Sequence, residues 1–167
     1  MDKKNLDIYG NATLPWSRAQ QALEGADGHV TSHFLSTVRP DGRPHTAAVG
    51  ALWVHDRFYF VSGPSTRKGK NLAKRADCVM SVGLPGIDLV VEGRASRVTD
   101  ASTLERLAKR YDKQGWPVKV DGDAFTAPYN APSAGPPPWY LWELKPATVF
   151  GVATQEPGGA TRWRFDL

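Results

Sequence analysis

The sequence of 167 residues contains a single cysteine, Cys78, which excludes an internal disulfide and any metal centre built on a cysteine cluster. Within Cys78-Val79-Met80-Ser81-Val82 it reads as a small core residue. No apolar run approaches the roughly 20 residues needed to span a bilayer, and Met1-Asp2-Lys3-Lys4-Asn5 leads into no signal-peptide core. No membrane association and a cytoplasmic location are therefore expected. Charge of one sign is not in large excess: the net charge of +4 suits a small anionic ligand. Aromatic-basic interleaving and a recognition-helix pattern are both lacking, so no nucleic-acid partner is expected. No carboxylate pair stands out for acid-base work, since Asp100 and Glu105 read as a helix cap and a helix face. His29 and His33 are four apart, as metal ligands on a helix would be. Val30, Thr31 and Phe34 favour a strand start there, and no third ligand is evident, so no metal is expected.

What is present is an ordinary globular composition, 41% apolar and 23% charged, at a length that suits one domain over residues 1–167. The chain organises around the stretch from Phe58 to Arg75. An aromatic run with strand character stops at Ser62, Gly63-Pro64 turns the chain, and good helix formers begin at Ser65 or Thr66. Between Arg67 and Arg75 lie five basic residues and no acidic one. Arg67 and Lys68 fall in the first turn of that helix, where cations oppose the helix dipole. A bound anion resolves the conflict, because helix N-termini and basic side chains both attract phosphate. A solvated basic face accounts for the same residues, and spacing alone does not choose between the two.

Upstream, residues 1–14 show no sustained periodicity and read as a mobile arm or a strap over a partner. Pro15 to Ala26 carries Trp16, Ala19 and Leu23 at helical spacing. Val30 to Val38 reads as a strand, Asp41-Gly42 as a tight hairpin turn, and His45 to Val54 as the return strand. A reversal at His55-Asp56-Arg57 feeds the strand that ends at Ser62. Downstream, Cys78–Val82 and Ile87–Val98 read as strands, with a bulge or close backbone approach at Gly93. Thr99 or Asp100 caps a helix whose inner stripe is Leu104, Leu107, Ala108 and Tyr111. Residues 115–138 are rich in proline and glycine and read as a lid or binding loop without regular elements, anchored by Trp116, Phe125 and Tyr129. Trp139 to Val152 is a strand kinked at Pro146, and Thr161 to Phe165 a last short one. Trp139, Tyr140 and Trp142 are core or ring-stacking candidates. His45 is either a donor to a substrate or a plain strand-end histidine. About seven short strands with hairpin turns and two or three short helices suggest a mainly β fold, a small closed or partly closed antiparallel barrel.

Four blocks, Leu35-Ser36-Thr37-Val38-Arg39-Pro40-Asp41-Gly42-Arg43-Pro44-His45, Arg57-Phe58-Tyr59-Phe60-Val61-Ser62, Ser65-Thr66-Arg67-Lys68-Gly69-Lys70-Asn71-Leu72 and Val90-Val91-Glu92-Gly93-Arg94-Ala95, resemble in order and spacing the pyridoxamine 5'-phosphate oxidase-like superfamily. The resemblance covers about residues 30–112 and implies an antiparallel, Greek-key-like split β-barrel, a homodimer, and a flavin held at the subunit interface. It further implies a cofactor phosphate held by Arg67 and Lys68, with the hydroxyls of Ser62 and Thr66 alongside. The isoalloxazine would lie against the backbone of Thr46, Ala47, Ala48 and Val49. True pyridoxamine phosphate oxidases carry an Arg-x-His element in their C-terminal half that is missing here, so oxidation of a vitamin B6 phosphate is not expected. Lys70-Asn71-Leu72 after the phosphate grip resembles the flavin/deazaflavin oxidoreductase branch, some of whose members use coenzyme F420 in place of FMN. The long anionic tail of F420 would suit Lys70, Lys74, Arg75 and Arg43. The resemblance thus implies an FMN- or F420-dependent oxidoreductase acting on a small organic substrate, with a non-catalytic flavin carrier or sensor as the alternative. Such enzymes need few acids or bases of their own, because the cofactor carries the hydride.

Overall fold

The computed structural model describes residues 1–26 and 32–165. His29 and the first residues of the strand expected from Val30 lie outside the described residues. Eleven strands and three helices are found among them. They are β1 (Asp2–Asn5), α1 (Trp16–Gly25), β2 (His33–Val38), β3 (Pro44–Val49), β4 (Ala51–Val54), β5 (Arg57–Ser62), α2 (Arg67–Leu72), β6 (Asp77–Leu84), β7 (Ile87–Val98), α3 (Ala101–Lys113), β8 (Lys119–Asp121), β9 (Ala124–Thr126), β10 (Tyr140–Ala153) and β11 (Ala160–Arg164).

Local chemistry sets the turns. Gly42 adopts a φ of +85° and donates its N–H to the Arg39 carbonyl at 2.9 Å, closing the β2–β3 hairpin. His55 and Asp56, at φ of +49° and +60°, make the two-residue turn between β4 and β5, as residue types that tolerate the left-handed region. Asp100 caps α3 by accepting from the Thr103 amide at 2.8 Å, and the helix buries the expected Leu104, Leu107, Ala108 and Tyr111.

The strands form a split β-barrel. All pairings are antiparallel, running β3–β2–β6–β7–β10–β5–β4, and β3 rejoins β4 through Gly50 alone. The ladder is therefore interrupted at one place, where a single bent strand serves β2 with one half and β5 with the other. β10 is the longest strand, with 14 residues, and pairs with β5, β7 and β11. The kink expected at Pro146 is a register shift between Pro146 and Thr148. Gly93 lies opposite it, and a Cβ there would collide with the Lys145 carbonyl, so the close backbone approach is real.

Two apolar clusters flank one wall of the barrel. The interior holds Leu35, Phe58, Phe60, Met80, Ile87, Leu89, Val91, Leu144 and Trp163. A second cluster, under α3, holds Leu52, Tyr59, Val61, Leu104, Leu107, Phe125, Trp139 and Leu141. Successive residues of a strand face opposite sides, so β4, β5 and the first half of β10 feed both clusters and are covered on both faces. In β7 strict alternation puts Ile87, Leu89 and Val91 inside and Asp88, Val90 and Glu92 outside. Cys78 is 5% exposed, and burial pushes its thiol pKa up to about 12, so it is a core residue as expected.

Two expectations are corrected. Residues 1–14 are not wholly irregular: Asp2–Asn5 forms β1 and pairs with β11, because the open edge of β11 satisfies its backbone groups. The stretch 115–138 also contains regular structure, since β8 and β9 form a hairpin around Asp121-Gly122, with Gly122 at φ of +60°. That dipeptide is the same turn signal as Asp41-Gly42, masked by the prolines around it. Phe125 exchanges backbone hydrogen bonds with Trp139, both at 2.8 Å, which ties the hairpin to β10.

Candidate cofactor site

The basic helix is built into the corner where β5 ends. Ser62 is fully buried, and its Oγ lies 2.8 Å from Thr66 Oγ1. Thr66 Oγ1 in turn donates to the Gly63 carbonyl at 2.8 Å and accepts from the Gly69 amide at 3.1 Å. Ser62 Oγ also lies 3.3 Å from the Gly63 carbonyl, so the two hydroxyls and that carbonyl form one closed hydrogen-bonded set. These hydroxyls, expected beside a phosphate, are spent locally on holding the strand-to-helix turn. Thr66 is the helix cap, so α2 opens at Arg67 with Arg67 and Lys68 in its first turn, as expected. The helix has only six residues, and its dipole is correspondingly weak. Lys70 falls in the last turn, where the dipole favours it, and is exposed.

The two leading cations differ. Arg67 is exposed, whereas Lys68 is 3% exposed and donates from Nζ to the Ser133 carbonyl. Burial lowers the Lys68 pKa from its ordinary value, and no carboxylate offsets the charge among the described residues. Segment 131–135 is folded over this corner: the Gly63 amide donates to the Ala134 carbonyl at 3.0 Å, and Trp139 Nε1 to the Gly135 carbonyl at 2.8 Å.

Asn71 fastens α2 to the barrel. It is 1% exposed, its Nδ2 donates to Thr37 Oγ1 at 3.0 Å, and its Oδ1 has no partner among the described residues. Thr37 lies directly opposite His45 in the β2–β3 ladder, and the two therefore share a face. Arg67 and Lys68 are four and three residues before Asn71, on the same side of the helix. Arg39 is two residues beyond Thr37 along the strand direction. The fold thus gathers Arg39, His45, Arg67 and Lys68. His45 is half-buried rather than a plain exposed strand end. Its pKa is held below the ordinary histidine value by burial, then by the charges of Arg39, Lys68 and Arg67. His45 Nδ1 and Arg39 Nε are buried with no hydrogen-bond partner among the described residues. Local spacing singles out His45 and gives no sign of Arg39. The hairpin register set by Asp41-Gly42 was the signal that pairs position 37 with 45 and brings both under α2.

Beside this cluster, β3 pairs with β2 on one side and with no strand on the other among the described residues. Thr46 and Ala48 are exposed, Ala47 is half-buried and Val49 is buried. Thr46 Oγ1 is 2.8 Å from Ser36 Oγ on the neighbouring strand. Other candidates lie elsewhere or are engaged: Arg43 is paired with Asp41 at 2.8 Å, and Lys74 and Arg75 are exposed beyond the helix. Trp139 and Trp142 are buried, and Tyr140 stacks under Arg97, with 3.5 Å from the guanidinium carbon to the ring centre. Among the described residues no three His, Cys, Asp or Glu side chains converge as a metal site.

The sequence profile of pyridoxamine 5'-phosphate oxidase matches residues 21–153. The chain belongs to the pyridoxamine 5'-phosphate oxidase family. Members of that family bind FMN and include oxidoreductases. A curated relative, the pyridoxine/pyridoxamine 5'-phosphate oxidase of Bacteroides thetaiotaomicron, is 29% identical over 118 residues, which is 69% of this chain and 53% of the relative. The chain thus spans about half the length of the curated relative it matches. Among solved structures, a pyridoxamine 5'-phosphate oxidase-related, FMN binding protein from Nostoc punctiforme superimposes with a TM-score of 0.60 at 16% identity, covering 93% of each chain. An F420 reductase does so with a TM-score of 0.51 at 23% identity, covering 75% of this chain and 94% of the other. At these identities the structural likeness shows the split-barrel fold of the pyridoxamine 5'-phosphate oxidase family and nothing finer.

Proposed function

We propose that this protein is an oxidoreductase that holds FMN, or the deazaflavin F420, at a homodimer interface and moves a hydride to or from a small organic substrate. The observation that carries the reading is the cluster of the cations Arg67, Lys68 and Arg39 around the His45 ring. It has two buried nitrogens without partners and lies next to an unpaired sheet edge. Grouped cations of this kind destabilise the free protein by repulsion and suit a phosphoryl group. Arg67 and Lys68 bind the phosphate, Ser62, Thr66 and Asn71 hold α2 at the angle that presents them, and Lys70 supplies further positive potential. The free backbone edge over Thr46, Ala47, Ala48 and Val49 offers donors and acceptors to the rim of a flat heteroaromatic ring. When bound, that ring supplies the hydride chemistry, and the protein orients it and excludes water.

The proposed partner is a second copy of the chain. No other described element covers the outer face of β3, β2, β6, β7 and β10, and one row across it reads Ala48, Phe34, Ser81, Val90, Phe150. Phe34 is 46% and Val90 39% exposed, so this row leaves large apolar side chains in water unless another surface covers them. A flavin carrier or sensor is the second reading. It is favoured by the lack, among the described residues, of any carboxylate paired with Arg39, Arg67 or Lys68 or hydrogen-bonded to His45; Asp41 is engaged by Arg43.

Dissociation constants for FMN and for F420, followed by steady-state turnover with varied electron donors, test the reading. Tight binding of one with turnover is expected. Tight FMN binding with no affinity for the deazaflavin removes the F420 branch, binding without turnover leaves the carrier, and a protein that takes up neither refutes the proposal.

A further inference from the structure

The proposed function has Arg67 and Lys68 bind the phosphate and assigns no contact with it to Arg39 or His45. Both sit on the face that α2 covers. Thr37, opposite His45 in the hairpin and two residues before Arg39, accepts from Asn71 and donates from Oγ1 to the His45 carbonyl at 3.4 Å. This holds the strand-end histidine against the helix. The charges that act on the His45 ring are those of Arg39 from the hairpin and of Lys68 and Arg67 from α2. Cys78, opposite Thr37 on β6, is a neutral thiol, and Asp41 is engaged by Arg43. Among the described residues, three cations and no free anion act on a ring whose Nδ1 is buried and has no hydrogen-bond partner. That arrangement disfavours imidazolium in the free protein and leaves the neutral ring with an unmet polar atom.

We propose that Arg39 and His45 join Arg67 and Lys68 in one pocket for a phosphoryl dianion, and that filling this pocket draws a proton from solvent onto His45. The proposal rests on the cofactor reading above and adds to it two ligand-contacting residues and a coupling to pH. The pocket is made of side chains: the Gly69 amide is already taken by Thr66, while Lys68 Nζ keeps two of its three donors after the bond to Ser133. A dianion among the four groups reverses the local field, so both ring nitrogens of His45 become useful as donors. The phosphate itself does not supply the effect. Its second pKa is about 6, so above neutrality a phosphate monoester arrives as the dianion and cations keep it so. Net uptake of a proton must therefore come from the protein.

The sign follows from linkage. A group whose pKa is higher in the complex than in the free protein adds affinity that is full below its free value and is lost as pH rises through its bound value. Affinity for the phosphoryl ligand therefore falls from slightly acid to alkaline pH in the natural protein, and less steeply in His45→Gln, which keeps a hydrogen-bond donor but cannot charge.

The test is calorimetric titration of the full chain at pH 7.5 with FMN, F420 and inorganic phosphate, in two phosphate-free buffers of different ionisation heat. The natural protein should take up about 0.5 to 1 proton per ligand bound, and His45→Gln none. The affinity advantage of the natural protein over His45→Gln should be about tenfold near pH 6.5 and vanish by about pH 9. Because the variant can also change the fold, the His45 ring signal of the natural protein is titrated by NMR with and without ligand, and its midpoint should rise on binding. Uptake with inorganic phosphate as well as with the cofactor shows that the phosphoryl group alone is recognised. Uptake with the cofactor only ties it to the whole molecule. Binding without proton uptake and without a shift of the His45 midpoint overturns this proposal and leaves the cofactor reading intact. Binding of none of the three ligands overturns both.

Discussion

Replacing Gly69 by alanine should damage this protein, although the same change in an ordinary helix helps. Alanine is favoured over glycine in a helix by about 1 kcal/mol. At Gly69 a Cβ would meet the Gly63 carbonyl oxygen well inside 3.0 Å, a distance real Cβ contacts essentially never breach, and would lie 3.1 Å from Thr66 Oγ1. The oxygen cannot yield easily, because it accepts from the Thr66 amide at 3.2 Å and from Thr66 Oγ1 at 2.8 Å. The helix must therefore lift by roughly half an ångström or more, at a strain of about 2–3 kcal/mol, the upper part of the range for overpacking. The net loss is about 1–2 kcal/mol, a fall in Tm of about 2–8 °C for a chain of this size. Gly25, at the end of α1, is the control: a Cβ there meets nothing within 4 Å among the described residues, and Gly25→Ala should raise Tm by about 1–4 °C. Lifting α2 also moves Arg67 and Lys68, so the affinity for the cofactor should fall about tenfold, or about 1.4 kcal/mol, in Gly69→Ala and stay unchanged in Gly25→Ala. Thermal denaturation and cofactor titration read both effects. If Gly69→Ala stabilises the protein as Gly25→Ala does, α2 is not pressed against the end of β5, and the account of the corner fails.

Arg67→Ala and Lys68→Ala should each weaken cofactor binding by at least tenfold. The exposed Arg67 should change Tm little, and an unchanged affinity on titration refutes its assignment. Phe34→Asp combined with Val90→Asp places two charges on the uncovered outer face of the barrel, so the variant should sediment as a monomer and bind cofactor poorly. A natural protein that is itself monomeric at micromolar concentration refutes the proposed interface.

Much of the architecture can be read without coordinates where it depends on neighbours in the chain. Asp41-Gly42 determines its hairpin because glycine reaches positive φ without strain, and Asp100 with the stripe Leu104, Leu107, Ala108, Tyr111 determines α3 by capping and periodicity. The strand, turn and basic helix from Phe58 to Leu72 are legible for the same reason. Asp121-Gly122 carried an equal signal, but the prolines around it suggested irregular chain, and only its bonding to Trp139 shows how a three-residue strand is held. β1 was illegible because an edge strand of four polar residues has no hydrophobic pattern, and its place depends on an unpaired edge more than 150 residues away in the chain. The site divides in the same way. Local sequence determined that cations open α2. Tertiary structure alone decided that Lys68 is buried, that Ser62 and Asn71 support the helix, and that Arg39 and His45 stand beside Arg67. Lys68 is covered by Ser133, 65 residues on, and Asn71 is bonded to Thr37, 34 residues back, and no local rule of spacing or propensity encodes such contacts.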